Sequence, residues 1–90
     1  LGVLGGGGDF QVVVRFSAAL ADRVREREWH ESQELRGLPD GRLELTLRLG
    51  ALPEVEAWVL TWGADAEVIQ PPELRVRLKA TAAALTKVYR

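Results

Sequence analysis

Residues 42–49, RLELTLRL, alternate charged or polar side chains with leucines without a break. Successive side chains of a β-strand point to opposite faces of its sheet, so this segment predicts a strand with one apolar and one charged face. Residues 39–41, Pro-Asp-Gly, form a strong turn signal, because proline presets φ, aspartate accepts local hydrogen bonds and glycine tolerates positive φ. We therefore predict a hairpin in which residues 32–38 pair with residues 42–49.

Two further strands and a helix are predicted around this hairpin. Residues 10–16, FQVVVRF, alternate in the same way and are rich in β-branched and aromatic residues, which favour a strand. Residues 66–70 favour a short fourth strand. Ser17 fits the N-cap of a helix over residues 18–27, since its hydroxyl can accept hydrogen bonds from the first free amides.

Two later helices follow from apolar stripes at helical spacing. The second helix begins near Pro53, because proline suits a first helical turn, and ends at Gly63. The third covers residues 72–89. The stripes are Val55, Trp58, Val59 and Trp62 in the second helix and Leu74, Leu78, Ala82, Leu85 and Tyr89 in the third.

The resulting order is strand, helix, strand, strand, helix, strand and a final helix. A hairpin between two strand–helix pairs is the pattern of the split βαβ (βαββαβ), or ferredoxin-like, fold. We predict an α+β domain with a four-stranded antiparallel sheet, helices on one face and an extra C-terminal helix. The predicted core consists of Val12, Val14, Leu43, Leu45, Leu47, Trp58 and Val59.

Length and composition set the remaining bounds. Ninety residues form one small domain, which we assign to residues 10–90. Residues 1–9 contain four consecutive glycines and are predicted to be a linker from a missing upstream domain. Twelve basic and thirteen acidic residues create no overall positive field for non-specific nucleic-acid binding. The absence of cysteine excludes disulfides and thiolate metal sites. No apolar run approaches a membrane span, so we expect no contact with a membrane.

The charged face of the predicted sheet carries three arginines, Arg15, Arg36 and Arg48. With a three-residue hairpin loop, Arg36 lies opposite Glu44. Such pairs can be ordinary cross-strand ion pairs on a solvated sheet. Alternatively, the flat guanidinium groups can bind an anion such as phosphate. This arrangement leaves no acid for Arg15, so we predict that Arg15 binds an anionic ligand, with Arg48 and Arg36 as further ligand-binding residues.

Residues suited to catalysis are scarce. His30 is the only histidine, and without a cysteine or a suitably spaced serine it indicates neither a catalytic triad nor a zinc site. We interpret it as a loop or edge residue with an ordinary hydrogen bond. The glycine run lacks the Lys-Ser/Thr of a phosphate-binding loop, and the exposed side of the central strands carries no aromatic residue for stacking RNA bases. We expect no enzymatic activity, no metal and no cofactor.

Five segments together resemble the C-terminal extension, called WCX, of WYL-domain transcriptional regulators. They are VVVRFS (12–17), VREREWHESQEL (24–35), LPDGRLELTLRL (38–49), WVLTWG (58–63) and AEVIQPPELR (66–75). They span nearly the whole chain in the family's order. Residues 1–9 also resemble the segment that joins the WYL domain to this extension.

The resemblance implies a non-catalytic regulatory module of a bacterial, cytoplasmic transcription regulator. Such regulators carry a winged helix-turn-helix that binds DNA and a WYL domain that senses ligands, including single-stranded nucleic acid in some members. The implied partners are a second copy of the chain, the WYL and winged-helix domains of the same full-length chain, and an anionic effector held jointly with the WYL domain. DNA is contacted only through the missing N-terminal domain. The residues leave one alternative open, a stand-alone ACT-like domain that binds a small metabolite.

Overall fold

The computed structural model describes residue 8 and residues 10–90 of the chain. The elements are β1 (Phe10–Phe16), α1 (Ala21–Arg25), β2 (Glu34–Gly37), β3 (Leu43–Leu49), α2 (Leu52–Leu60), a short 3-10 turn (Gly63–Asp65), β4 (Ala66–Gln70) and α3 (Pro72–Val88). They follow the predicted order. Most of the predicted linker, residues 1–7 and residue 9, lies outside the described residues.

The four strands form one antiparallel sheet in the order β2-β3-β1-β4. β1 lies between β3 and β4, and β2 pairs with β3 through the predicted hairpin. At the hairpin turn, the backbone N–H of Leu38 donates to the carbonyl of Arg42, and Gly41 adopts a φ of +89°. This topology confirms the predicted α+β, ferredoxin-like split βαβ fold with an added C-terminal helix.

The core lies between the leucine face of the sheet and the helices. The predicted core residues are all buried, with exposures of 8% or less. Val24 of α1, Val55 of α2 and Leu74 of α3 join the same cluster from the helix side. Because a slip of one residue in β3 would turn every leucine outward, the alternation in this strand determines which face the helices cover.

Four aromatic side chains fill one part of this core. Phe16 and Trp29 each contact both Trp58 and Trp62, and these two contact each other, with ring centroids 5.4–6.0 Å apart. Trp29 comes from the connection after α1, and its indole N–H donates to the carbonyl of Val24 at 3.0 Å. The tryptophans therefore pack the domain together.

The first helix is shorter than the predicted residues 18–27. It begins at Ala21, and Ser17 is not its N-cap. The backbone N–H of Ser17 donates instead to the carbonyl of Asp65 at 2.9 Å, next to the start of β4. This tertiary hydrogen bond keeps Ser17 with the sheet, so residues 18–20 form a turn before the helix starts.

The C-terminal helix extends past the sheet. Leu74 is fully buried and Leu78 is partly buried, but Leu85 and Tyr89 of the same predicted stripe are 46% and 81% exposed. The amphipathic pattern therefore continues beyond the surface that this domain supplies. No helix in the described part of the chain is long and apolar enough to cross a membrane.

Glu56 of α2 holds the middle of α3. Its carboxylate accepts hydrogen bonds from Arg77 Nε at 2.8 Å and Thr81 Oγ1 at 2.9 Å. These hydrogen bonds, that of Thr81 first, lower the pKa of the Glu56 carboxyl. At a rise of about 1.5 Å per residue, α3 continues roughly 10 Å beyond this attachment.

Candidate functional site

The sheet face opposite the helices carries the three arginines predicted to bind a ligand. Arg15 lies on β1, Arg36 on β2 and Arg48 on β3. The hairpin register places Arg36 opposite Glu44, as predicted. Just before the start of β2, Ser32 Oγ accepts a hydrogen bond from the backbone N–H of Arg48 at 2.9 Å, which continues the contact between the two halves of the hairpin.

Glu44 lies between two of these arginines. Its carboxylate accepts from Arg15 Nε at 3.0 Å and forms an ion pair with Arg36 at 3.1 Å. The Glu44 side chain is only 13% exposed. The hydrogen bond from Arg15, and then the charge of Arg36, lower the pKa of Glu44 against the opposing effect of burial.

The expectation that no acid is available to Arg15 is therefore wrong. Arg15 and Glu44 are direct partners in the antiparallel pairing of β1 with β3. The turn fixes the register of the hairpin, so it indicates only the acids that lie opposite residues of β2 and β3. The pairing between β1 and β3 joins residues 29 positions apart, and no turn signal in the sequence specifies it.

The three arginines do not converge on one point. Arg48 lies four residues after Glu44 on β3, which is roughly 13 Å along a strand, and it is paired across the sheet with Gln11. Its guanidinium forms no hydrogen bond or ion pair with the other residues that the structure describes. Arg15 uses only Nε toward Glu44, and its two terminal nitrogens form no hydrogen bond with the described residues, on a side chain that is 33% exposed. Glu67 of β4 lies opposite Arg15 on the same face as a second acid.

His30 is buried and hydrogen-bonded in the loop before β2. It is 6% exposed, and its Nδ1 lies 2.6 Å from Ser32 Oγ. The backbone N–H of Ser32 donates to Nδ1 at 3.1 Å, so this nitrogen is an acceptor. Ser32 in turn contacts Arg48, which ties the loop before β2 to β3. Within residue 8 and residues 10–90, no three His, Asp or Glu side chains are grouped so as to hold a metal ion.

The structure also has a groove on the helix side of the domain that was not predicted from the sequence. Its volume is about 640 Å³, and it lies between the end of α2, β4 and the first half of α3. Its apolar walls include Val59, Leu60, Val68, Pro72, Leu78 and Ala82. Arg75, Lys79 and Glu67 add charge to the lining. The sequence signal for this groove was the pair Arg75 and Lys79, which are four residues apart beside the apolar stripe of α3. The other walls come from segments distant in the sequence, so this signal alone does not indicate a groove.

Comparison with known proteins agrees with this architecture. The family model for the WCX domain matches residues 8–86, which cover the whole sheet and all but the end of α3. A comparison with curated proteins gives no match. WCX is a family of regulatory rather than catalytic domains, consistent with a module of WYL-type regulators. The chain belongs to the WCX domain family.

Proposed function

We propose that the chain is a non-catalytic module of a WYL-type transcription regulator that supports self-association and shares effector sensing with the WYL domain. The observation that carries this proposal is the family match over residues 8–86. The net charge of −1 supports it, because a chain without excess positive charge is poorly suited to bind DNA. In such a regulator, the winged-helix domain contacts the DNA.

The genomic reading frame upstream of Leu1 tests this assignment. Winged-helix and WYL sequences in that frame are the expected result. A frame that encodes only this domain would contradict the proposal and favour the ACT-like metabolite-binding alternative.

The free end of α3 is the proposed self-association surface. It comprises Leu85, Val88 and Tyr89, which are 46%, 70% and 81% exposed. These apolar side chains lie beyond the attachment at Glu56, in the part of α3 that extends past the sheet. Burial of apolar surface is the main favourable term in association, and a second copy of the same helix end offers a matching apolar surface.

Sedimentation of the chain at tens of micromolar tests self-association. We expect a species with twice the mass of one chain, and we expect Leu85→Glu to convert it to the monomer. Ala83→Glu adds the same charge at an exposed position that is off this stripe, so it should leave the dimer intact. A wild-type chain that sediments only as a monomer would contradict the proposal for this domain alone.

The open sheet face is the proposed effector surface. Arg48 offers a complete guanidinium, and Arg15 offers the terminal nitrogens that Glu44 does not use. Arg36 contributes least, because it is 67% exposed and already paired with Glu44. The WYL domain supplies the other half of the site, and the ligand is an anion such as a phosphate of a nucleotide or nucleic acid.

Binding of a short single-stranded oligonucleotide by the full-length regulator tests the effector surface. Loss of one charge-assisted contact in Arg48→Ala should weaken binding by roughly 1.5–3 kcal/mol and reduce its salt dependence. Arg23→Ala removes an exposed arginine of α1 and serves as the control. If Arg48→Ala and Arg15→Ala both bind like wild type while folding normally, the open face is not the effector site.

A further inference from the structure

The groove beside α3 combines apolar walls with a charged rim. Its floor is formed by the buried side chains of Val59 and Val68, and Leu78 closes it on the α3 side. Leu60 is 41% exposed on its margin. A volume of about 640 Å³ lies within the range of small-molecule sites. The groove therefore has the size and lining to take the apolar part of a small ligand.

Arg75 is held in position at the rim of this groove. Its NH1 group donates to the carbonyl of Val68 at 2.5 Å and lies 3.7 Å from the Glu67 carboxylate. The Nε and NH2 groups form no hydrogen bond within the part of the chain that the structure describes. A guanidinium fixed through one nitrogen presents its remaining donors with little further loss of side-chain freedom, which favours anion binding.

Lys79 adds a second positive charge one helical turn further along the groove. It forms no ion pair with any described residue. The surrounding segment is strongly basic, since residues 72–90 hold five of the chain's twelve basic residues but only one of its thirteen acidic residues. The charged residues that line the groove itself, Arg75, Lys79 and Glu67, sum to +1 in a chain whose net charge is −1.

We propose that this groove binds a small amphipathic anion, an apolar chain or ring that carries a single carboxylate. The carboxylate contacts Arg75 and Lys79, and the apolar part lies between Val59, Val68 and Leu78. The end of α2 at Leu60 carries partial negative charge, which orients the carboxylate toward α3. The exposed 3.7 Å pair with Glu67 opposes the ligand only weakly, because such pairs contribute little in water.

The charges favour this occupant over the α3 end of a second copy. That helix end carries Lys87 and Arg90 beside its apolar residues, so it would place further positive charge against Arg75 and Lys79. The apolar part of the groove lies on the helix side of the sheet, whereas its lining residue Glu67 pairs across the sheet with Arg15 of the effector surface. The two cations that hold the carboxylate are not part of the effector surface, so the proposed site does not depend on the function proposed above.

Titration of the 90-residue chain with octanoate, octylammonium and octanol tests the proposal. We expect amide shifts on octanoate addition to be confined to residues that line the groove, as seen by NMR, with weaker binding of octanol and none of octylammonium. Lys79→Glu should weaken octanoate binding at least about tenfold, as expected for loss and reversal of a charge-assisted contact. Lys87→Glu makes the same charge change on the same helix outside the groove and should bind octanoate like wild type.

A second pair of variants tests the location of the apolar part. Ala82 and Ala83 are both exposed, but only Ala82 lines the groove. Ala82→Phe should fill the groove and abolish octanoate binding, and Ala83→Phe should leave it unchanged. Circular dichroism of both variants should match that of the wild type, which checks that they are folded.

Four results would overturn the proposal. They are equal binding of octanoate and octanol, shifts that cluster away from the groove, equal effects of the two lysine variants, and no binding of any probe. Sedimentation of the same samples tests whether a second copy of the chain occupies the groove instead. If Ala82→Phe and octanoate each dissociate a dimer, a second copy fills the groove and the proposed ligand site is wrong.

Discussion

Substitution of Glu44 by glutamine is expected to destabilise the domain by removing one carboxylate from between two arginines. Glutamine has nearly the same shape and keeps an acceptor oxygen, so the packing of β3 against β1 is preserved. The change removes the negative charge opposite Arg15 and Arg36. Both guanidinium groups then lose the carboxylate that they share.

The two ion pairs contribute unequally to the expected cost. Arg36 is 67% exposed, and exposed pairs are worth about 0–1 kcal/mol. The bond from Arg15 joins side chains that are 33% and 13% exposed, and hydrogen bonds to charged groups contribute about 1.5–3 kcal/mol when shielded. Partial exposure of Arg15 lowers this second value. We therefore expect Glu44→Gln to reduce the free energy of unfolding by about 1–2 kcal/mol at neutral pH.

The loss of stability caused by Glu44→Gln should depend on pH, and the lowered pKa of Glu44 sets the direction of that dependence. The pKa of Glu44 is lowered in the folded chain, chiefly by the hydrogen bond from Arg15. A lowered folded-state pKa gives stability that is fully present above the unfolded value, about 4.3 for glutamate, and is lost as the pH falls through the folded value. The difference between wild type and Glu44→Gln should therefore be constant near pH 7 and should shrink below about pH 4.

Urea unfolding followed by tryptophan fluorescence measures these differences. Glu34→Gln is the matched control, because Glu34 lies on the same face opposite Thr46 and is exposed. It should change stability by less than about 0.5 kcal/mol. In double-mutant cycles, the coupling of Glu44 to Arg15 should exceed its coupling to Arg36. A Glu44→Gln variant as stable as Glu34→Gln at pH 7 would refute the assigned role of this cluster.

Three further stability predictions follow from the fold. Leu45→Ala should lower the free energy of unfolding by about 2–5 kcal/mol, because Leu45 is fully buried on a central strand. Thr46→Ala, on the other face, should lower it far less, and similar losses in urea unfolding would contradict the assigned faces. Gly41→Ala should cost about 1–2 kcal/mol, since Gly41 has a φ of +89°, and an unchanged unfolding midpoint would argue against this turn. Glu56→Gln should speed amide hydrogen exchange in α3 but not in β3, and unaltered exchange in α3 would show that Glu56 does not hold the helix.

Local patterns in the sequence predicted most of the fold. Alternation along residues 42–49 identified both β3 and its buried face, and the turn at residues 39–41 set the hairpin register that pairs Arg36 with Glu44. Proline before α3 located its start at Pro72. These features depend on residues that are neighbours in the chain. Over such short distances, the backbone geometry of a strand, helix or turn determines which way each side chain points.

The start of α1 shows where such reasoning fails. Ser17 has the residue type and position of an N-cap, and a local rule favours it in that role. The structure places its backbone against Asp65, which is distant in sequence, so a tertiary hydrogen bond overrides the local preference. The same applies to α3, whose stripe predicted a buried face that the sheet is too short to cover.

The sequence alone determined which residues could form strands, helices and the hairpin, and which face of each strand is apolar, because period and turn chemistry act over a few residues. Only the tertiary structure decided that Arg15 lies against Glu44 and that α2, β4 and α3 enclose a groove. Both arrangements join segments far apart in the chain. Their relative register is set by how the buried side chains of different elements pack together, and no local pattern records that packing.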